Sequence, residues 1–155
     1  MPDNPFADAD LDAIEQRLED LATDLEAQFG NAVRVQRSES AIGKTWTLTP
    51  ANDRALGAVW IAFHAGDLQL ESGRGPGGRW ELSRTSDHAS FIEQAVHSIA
   101  AGRVTETTAR GRSRVTITLP DGTPSRETGS VTPAGCLPLP LWPRWADTRQ
   151  YEPYR

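Results

Sequence analysis

Gly57-Ala-Val-Trp60-Ile-Ala-Phe63-His-Ala-Gly66-Asp-Leu-Gln-Leu70-Glu-Ser72 is the stretch that decides how this chain folds. Its two halves read as strands, because apolar residues recur at every second position: Val59, Ile61 and Phe63, then Leu68 and Leu70. Ala65-Gly66-Asp67 between them has turn chemistry. The same period runs outward in both directions and predicts strands near Ala32 to Ser38, Lys44 to Thr49, Gly57 to Phe63, Asp67 to Ser72 and Arg79 to Ser83. Val33, Val35, Trp46, Leu48, Val59, Ile61, Phe63, Leu68, Leu70, Trp80 and Leu82 are expected to face a core. The other parity, with Arg34, Gln36, Thr45, Thr47, Gln69, Glu71, Arg79 and Glu81, is expected to face water, as in an antiparallel sheet covered on one side. Trp60 falls on that wet parity, where a bare indole calls for a cover.

Before the strands, Leu11, Ile14, Leu18, Leu21, Leu25 and Phe29 are spaced three or four apart, the stripe of an amphipathic helix closed by Gly30-Asn31. Asp8, Asp10 and Asp12 are expected in or just before its first turn, where carboxylates complement the macrodipole. After the strands, Thr85-Ser86-Asp87 offers caps to a second helix carrying Phe91, Ile92, Ala95, Val96 and Ile99 and stopped by Gly102. A hairpin follows, Arg103 to Ala109 and Ser113 to Leu119. The expected fold is α+β: an antiparallel sheet of five to seven strands packed on one face by two helices, in the order α-β-β-β-β-β-α-β-β. Residues 1–119 form the single domain, and residues 120–135 have linker composition. Residues 136–155, with Pro138, Pro140, Pro143, Trp142 and Trp145, read as an extended Pro-rich tail that either docks over the Trp60 face, the favoured cover, or leaves that face to a partner.

At 155 residues the chain has the length of one domain. Residues 1–30 carry nine acidic side chains against Arg17 alone, net −8, so the overall charge of −5 leaves +3 for the rest. That balance argues against a general polyanion binder, so nucleic acid is not expected as a partner. No apolar run approaches the ~20 residues of a membrane span, so no membrane partner is expected. Met1-Pro-Asp-Asn-Pro5 lacks the basic and apolar regions of a secretory signal, so a cytoplasmic location is expected.

Most chemical motifs fail on context. Gly73-Arg-Gly-Pro-Gly-Gly78 matches a dinucleotide loop, yet strand alternation resumes at Arg79-Trp-Glu-Leu82 where a helix is required, so a long flexible hairpin tip is expected. Asp8, Asp10, Asp12 and Glu19 fall in a calcium-loop register, but Ala13 stands where that loop needs glycine. His64, His88 and His97 are too scattered for a ligand set, and the single Cys136 has no fixed histidine beside it. Arg110, Arg112 and Arg114 cluster at a hairpin tip, where solubilising charge is the simpler reading. No metal, cofactor or catalytic residue is expected. Two surfaces remain: a carboxylate ridge on the first helix, Asp12, Glu19 and Glu26 with Asp20 beside them, and the aromatic and histidine positions Trp60, His64, Trp142 and Trp145.

The order helix, five strands, helix, hairpin resembles the small α+β immunity proteins encoded beside bacterial polymorphic toxins. The resemblance rests on Trp60-Ile-Ala-Phe63, Trp80-Glu-Leu82, Phe91-Ile92 on a helix and Ala101-Gly-Arg-Val104, over about residues 57–119. It implies an acidic, non-enzymatic inhibitor that plugs or covers the active site of a cognate toxin, commonly a basic nuclease; the chain itself is expected as a monomer or a homodimer. Contact residues vary among such proteins, so none transfers by position. Two other readings stand beside it: a secretion chaperone or adaptor pairing through Leu18 and Leu25 of the first helix, and a small-ligand binder or enzyme using the Trp60 and His64 face.

Overall fold

The stripe from Ile14 to Phe29 is buried as its spacing requires: Ile14, Leu18, Leu21, Ala22, Leu25 and Phe29 line the inner side of helix α1 (Pro5–Phe29). The computed structural model describes residues 5–131 and 140–155, with the side chains of α1 from Asp10 onward. Cys136 and Pro138 therefore lie outside the described residues, as does the side chain of Asp8. Because α1 starts at Pro5, Asp10 and Asp12 fall in its second turn, beyond the first-turn position expected for them.

Five strands follow as an antiparallel meander: β1 (Val33–Ser40), β2 (Gly43–Pro50), β3 (Ala58–Phe63), β4 (Asp67–Glu71) and β5 (Arg79–Ser83). Its register places Arg37, Trp46, Trp60, Leu70 and Trp80 in one row across the sheet. Residues directly opposite one another share a face, so inward Trp46, Leu70 and Trp80 require Trp60 to point inward as well. Trp60 is fully buried, correcting the expectation that it sits on the wet face, while Val59, Ile61 and Phe63 point outward and are half-exposed. Ala58 and Ala62 flank the indole on its own strand and leave it room under the helices.

Thr85 caps helix α2 (Ser86–Ala100) by accepting from the His88 amide at 3.2 Å, and α2 packs on β3 and β4 and on α1. It also crosses to a second antiparallel sheet: β6 (Val104–Ala109), β7 (Arg112–Thr118), β8 (Pro124–Ser130) and β9 (Asp147–Gln150), in the order β8-β7-β6-β9. The fold is α+β, and its helices and strands follow the expected order as far as β7. The strands divide into two sheets, five and four, among the described residues.

Two segments differ from their expected character. Residues 120–135 include β8, whose side chains alternate between exposed and half-buried and so carry no apolar period to read. The described part of the tail joins the second sheet at β9, and Trp142 packs on Arg112 and Arg114 of β7 rather than on Trp60. β9 extends the β6 edge, and Tyr151 and Tyr154 enter the core.

The Gly-rich segment between β4 and β5 is also no flexible tip. It lies on the buried side of β7, where the Gly77 amide donates to Ser113 Oγ at 2.7 Å. A Cβ on Gly77 would lie 2.3 Å from the Ser113 carbonyl oxygen, so glycine is needed there for close approach rather than for freedom. Trp80 Nε1 donates to Ser125 Oγ at 2.9 Å, a second tie between the sheets.

Candidate functional site

Of the expected carboxylate ridge, half belongs to the fold. Arg37 on β1 reaches α1 and donates from Nε to Glu19 at 2.6 Å and from Nη2 to Glu26 at 2.8 Å. Glu19 also accepts from Trp46 Nε1 at 2.7 Å. The bonds from Arg37 hold the Glu26 carboxyl below its ordinary range. One turn away, Glu15 bridges Lys44 and the buried Arg84, and those two partners more than reverse the upward push of burial on its carboxyl. Asp12 and Asp20 remain exposed, without an ion-pair partner among the described residues. Among the described residues Asp20 accepts only from the Gln16 side-chain amide one turn before it, at 2.9 Å.

The aromatic candidates are scattered. Trp60 stacks on Trp46 in the core, ring centroids 6.3 Å apart and planes 11° apart. Trp142 is buried against the guanidinium groups of Arg112 and Arg114 on the second sheet, 5.6 and 5.4 Å from its ring centre. Those arginines, read as solubilising, thus seat the tail. Trp145 stands 75% exposed. His64 is exposed in the turn between β3 and β4, away from the inward Trp60. Leu18 and Leu25, the pairing seam of the adaptor reading, are fully buried against the chain's own sheet.

What sequence reasoning missed is the outward face of the first sheet. Val59, Ile61 and Phe63 form a half-exposed apolar stripe along its central strand. Thr47 and Glu71 flank Val59 across the ladders, and Thr45 and Gln69 flank Ile61. The signal was present: both parities of Val59-Trp-Ile-Ala-Phe63 are apolar, and such a strand has two apolar faces whichever way it turns. The stripe runs into a cleft of about 710 Å³ lined by Ile42, Phe63, His64, Asp67, Glu81 and Leu82 among others, with Ile42 66% exposed at its rim.

The Gly-rich segment does hold an anion, the chain's own. Successive amides of Arg74 and Gly75 donate to the buried Glu106 carboxylate at 3.0 and 2.7 Å, the nest geometry by which backbone amides bind negative charge. Among the described residues no three His, Cys, Asp or Glu side chains are grouped to hold a metal ion. No helix described is long and apolar enough to cross a membrane. Comparison with protein families, with curated proteins and with solved structures finds no match to this chain.

Proposed function

We propose that this chain is a protein-binding inhibitor of the immunity type, which works in the cytoplasm by covering a toxin domain and performs no chemistry itself. The observation that carries this reading is the half-buried apolar stripe Val59, Ile61 and Phe63 on the outward face of the first sheet, continued by the exposed Ile42. Apolar side chains grouped on an open sheet face are costly unless a partner removes them from water. Glu15, Glu19 and Glu26 on α1 and the buried Glu106 on β6 are each hydrogen-bonded within the fold, which supports a structural role for these carboxylates and a binding role for the chain. Exposed Asp12 and Asp20 add negative charge that would speed encounter with a basic partner.

Co-expression with the C-terminal domain of a secreted protein encoded beside this chain tests the reading. Growth should be restored by the wild type, with a complex that co-purifies, and Ile61→Glu should abolish both. Failure to neutralise or bind such a domain overturns it. A second reading, a small-ligand binder or enzyme, is favoured by one observation: His64, Asp67 and Glu81 share the cleft. Turnover or saturable binding of a metabolite that is lost in His64→Ala would replace the inhibitor reading with that one.

A further inference from the structure

The cleft at the end of the first sheet is built by three segments: the β1–β2 turn at Ala41 and Ile42, the β3–β4 turn with the strand residues flanking it from Phe63 to Gln69, and the last residues of β5. Hydrogen bonds to backbone carbonyls fix their spacing. The His64 amide donates to the Ile42 carbonyl at 2.9 Å, and Arg84 donates from its amide to the Gly66 carbonyl at 3.2 Å and from Nη1 to the Phe63 carbonyl at 3.2 Å. The chain's own bonds therefore hold the cleft's walls in place. Ile42 and Phe63 supply an apolar wall, and buried Leu68 closes the base.

Its charge has one sign. Asp67 and Glu81 are exposed there without an ion-pair partner among the described residues, and the lining contains no Lys or Arg. The cations of that end of the sheet, Lys44 and Arg84, are both spent on Glu15. Asp67 pairs with Ser83 and Glu81 with Gln69, so the two carboxylates are diagonal neighbours on adjacent strands, about 7–8 Å apart at their backbones. Carboxylates on diagonal neighbours of one sheet face can both reach a single cationic head.

We infer that this cleft receives a Lys or Arg side chain, flanked by an apolar residue, from a segment of a protein partner. Its methylene stem lies on Phe63 and Ile42 and its charged head sits between Asp67 and Glu81. A long cationic side chain matches both halves of the lining, since its stem is apolar and its head is not. A purely apolar occupant would strip water from two carboxylates and give nothing back, and an acidic one would be repelled. This inference rests on the protein-binding reading and adds the chemistry of what is bound.

The test uses the full chain and three fluorescein-labelled hexapeptide pools of the same Leu, Phe and Ala content, with Arg, Gln or Glu at one central position. Fluorescence polarisation should show the Arg pool binding at least tenfold more tightly than the Gln pool, with the Glu pool weaker still. Asp67→Asn with Glu81→Gln should erase the Arg preference, and Ile42→Ser should weaken all pools; circular dichroism checks that the variants are folded. Equal binding of Arg and Gln pools, or an Arg preference that survives in the double variant, overturns the inference. If Ile61→Glu abolishes toxin neutralisation while no Arg preference exists, the inference fails and the binding reading stands. Arg-selective binding without any neutralisation supports the cleft and removes the inhibitor reading.

Discussion

The Tyr151 hydroxyl donates to Glu106 Oε2 at 2.6 Å, and both side chains are buried, so the C-terminal segment is fastened to a carboxylate that also holds the Gly-rich loop. Arg74, whose amide binds that carboxylate, lays its guanidinium over the Tyr151 ring, 5.5 Å from the centre. Burial first, and then the bond to Glu106, push the Tyr151 hydroxyl well above its ordinary range, so it stays protonated and donating.

Tyr151→Phe therefore leaves a buried carboxylate short of one donor and should cost about 1–3 kcal/mol, read as a lower urea midpoint. Combining it with Glu106→Gln should cost less than the sum of the two single changes, because both act on one bond. Strict additivity would mean that the pair is not coupled.

Two glycine substitutions should separate close approach from backbone freedom. Gly77→Ala drives a Cβ into the Ser113 carbonyl, 2.3 Å away, and should cost about 1–3 kcal/mol or more by overpacking. Gly66 has φ +105° and nothing within 4 Å of an added Cβ, so Gly66→Ala pays only backbone strain, of order 1–2 kcal/mol. Thermal melts should also show the first change, and not the second, loosening the contact between the two sheets, with faster proteolysis of the 73–78 loop.

Acid should act through Glu15. Its carboxyl is lowered in the folded protein relative to the ordinary 4.5, so its contribution is present above that value and is lost as pH falls through the folded one. Glu26, lowered by Arg37, adds in the same direction. Urea midpoints measured from pH 6 to pH 3 should fall for the wild type and fall less steeply for Glu15→Gln, which starts lower because the buried Arg84 has lost a partner. Parallel slopes for the two proteins would place the acid sensitivity elsewhere.

How much of this was readable in advance depends on what each segment buries. α1 and α2 bury long stripes at helical spacing, so their residues announce them. β8 and β9 hold no buried apolar residue and are kept by ladder bonds and by partners far away in sequence, such as Ser125 with Trp80. Heptad spacing identified Glu19 and Glu26 as sharing one side of α1, but no spacing rule shows that Arg37 reaches across from β1 to claim both. Glycine content in residues 73–78 read as slack, because composition does not distinguish a free loop from one pressed against a strand. The site suffered most from β3, where both parities are apolar and the branched residues were the natural choice for the core.

That ambiguity is resolved by adjacent residues with opposite expected responses. Trp60 has no exposed surface, stacks on Trp46 and donates from Nε1 to the Leu18 carbonyl at 3.4 Å, so Trp60→Ala opens a cavity beneath α1 and should cost about 3–5 kcal/mol. Ile61 is half-exposed on the other face, and Ile61→Thr keeps its β-branched shape in the strand, so its cost should stay within about 1 kcal/mol. Had β3 carried the parity expected from its branched residues, the order would be reversed, since Ile61 would then be core and Trp60 surface. Urea unfolding of the two variants reads the difference directly. The same Ile61→Thr protein, still folded, then carries a polar group in the middle of the proposed contact stripe, so weaker binding of a toxin domain by it would report on the surface alone.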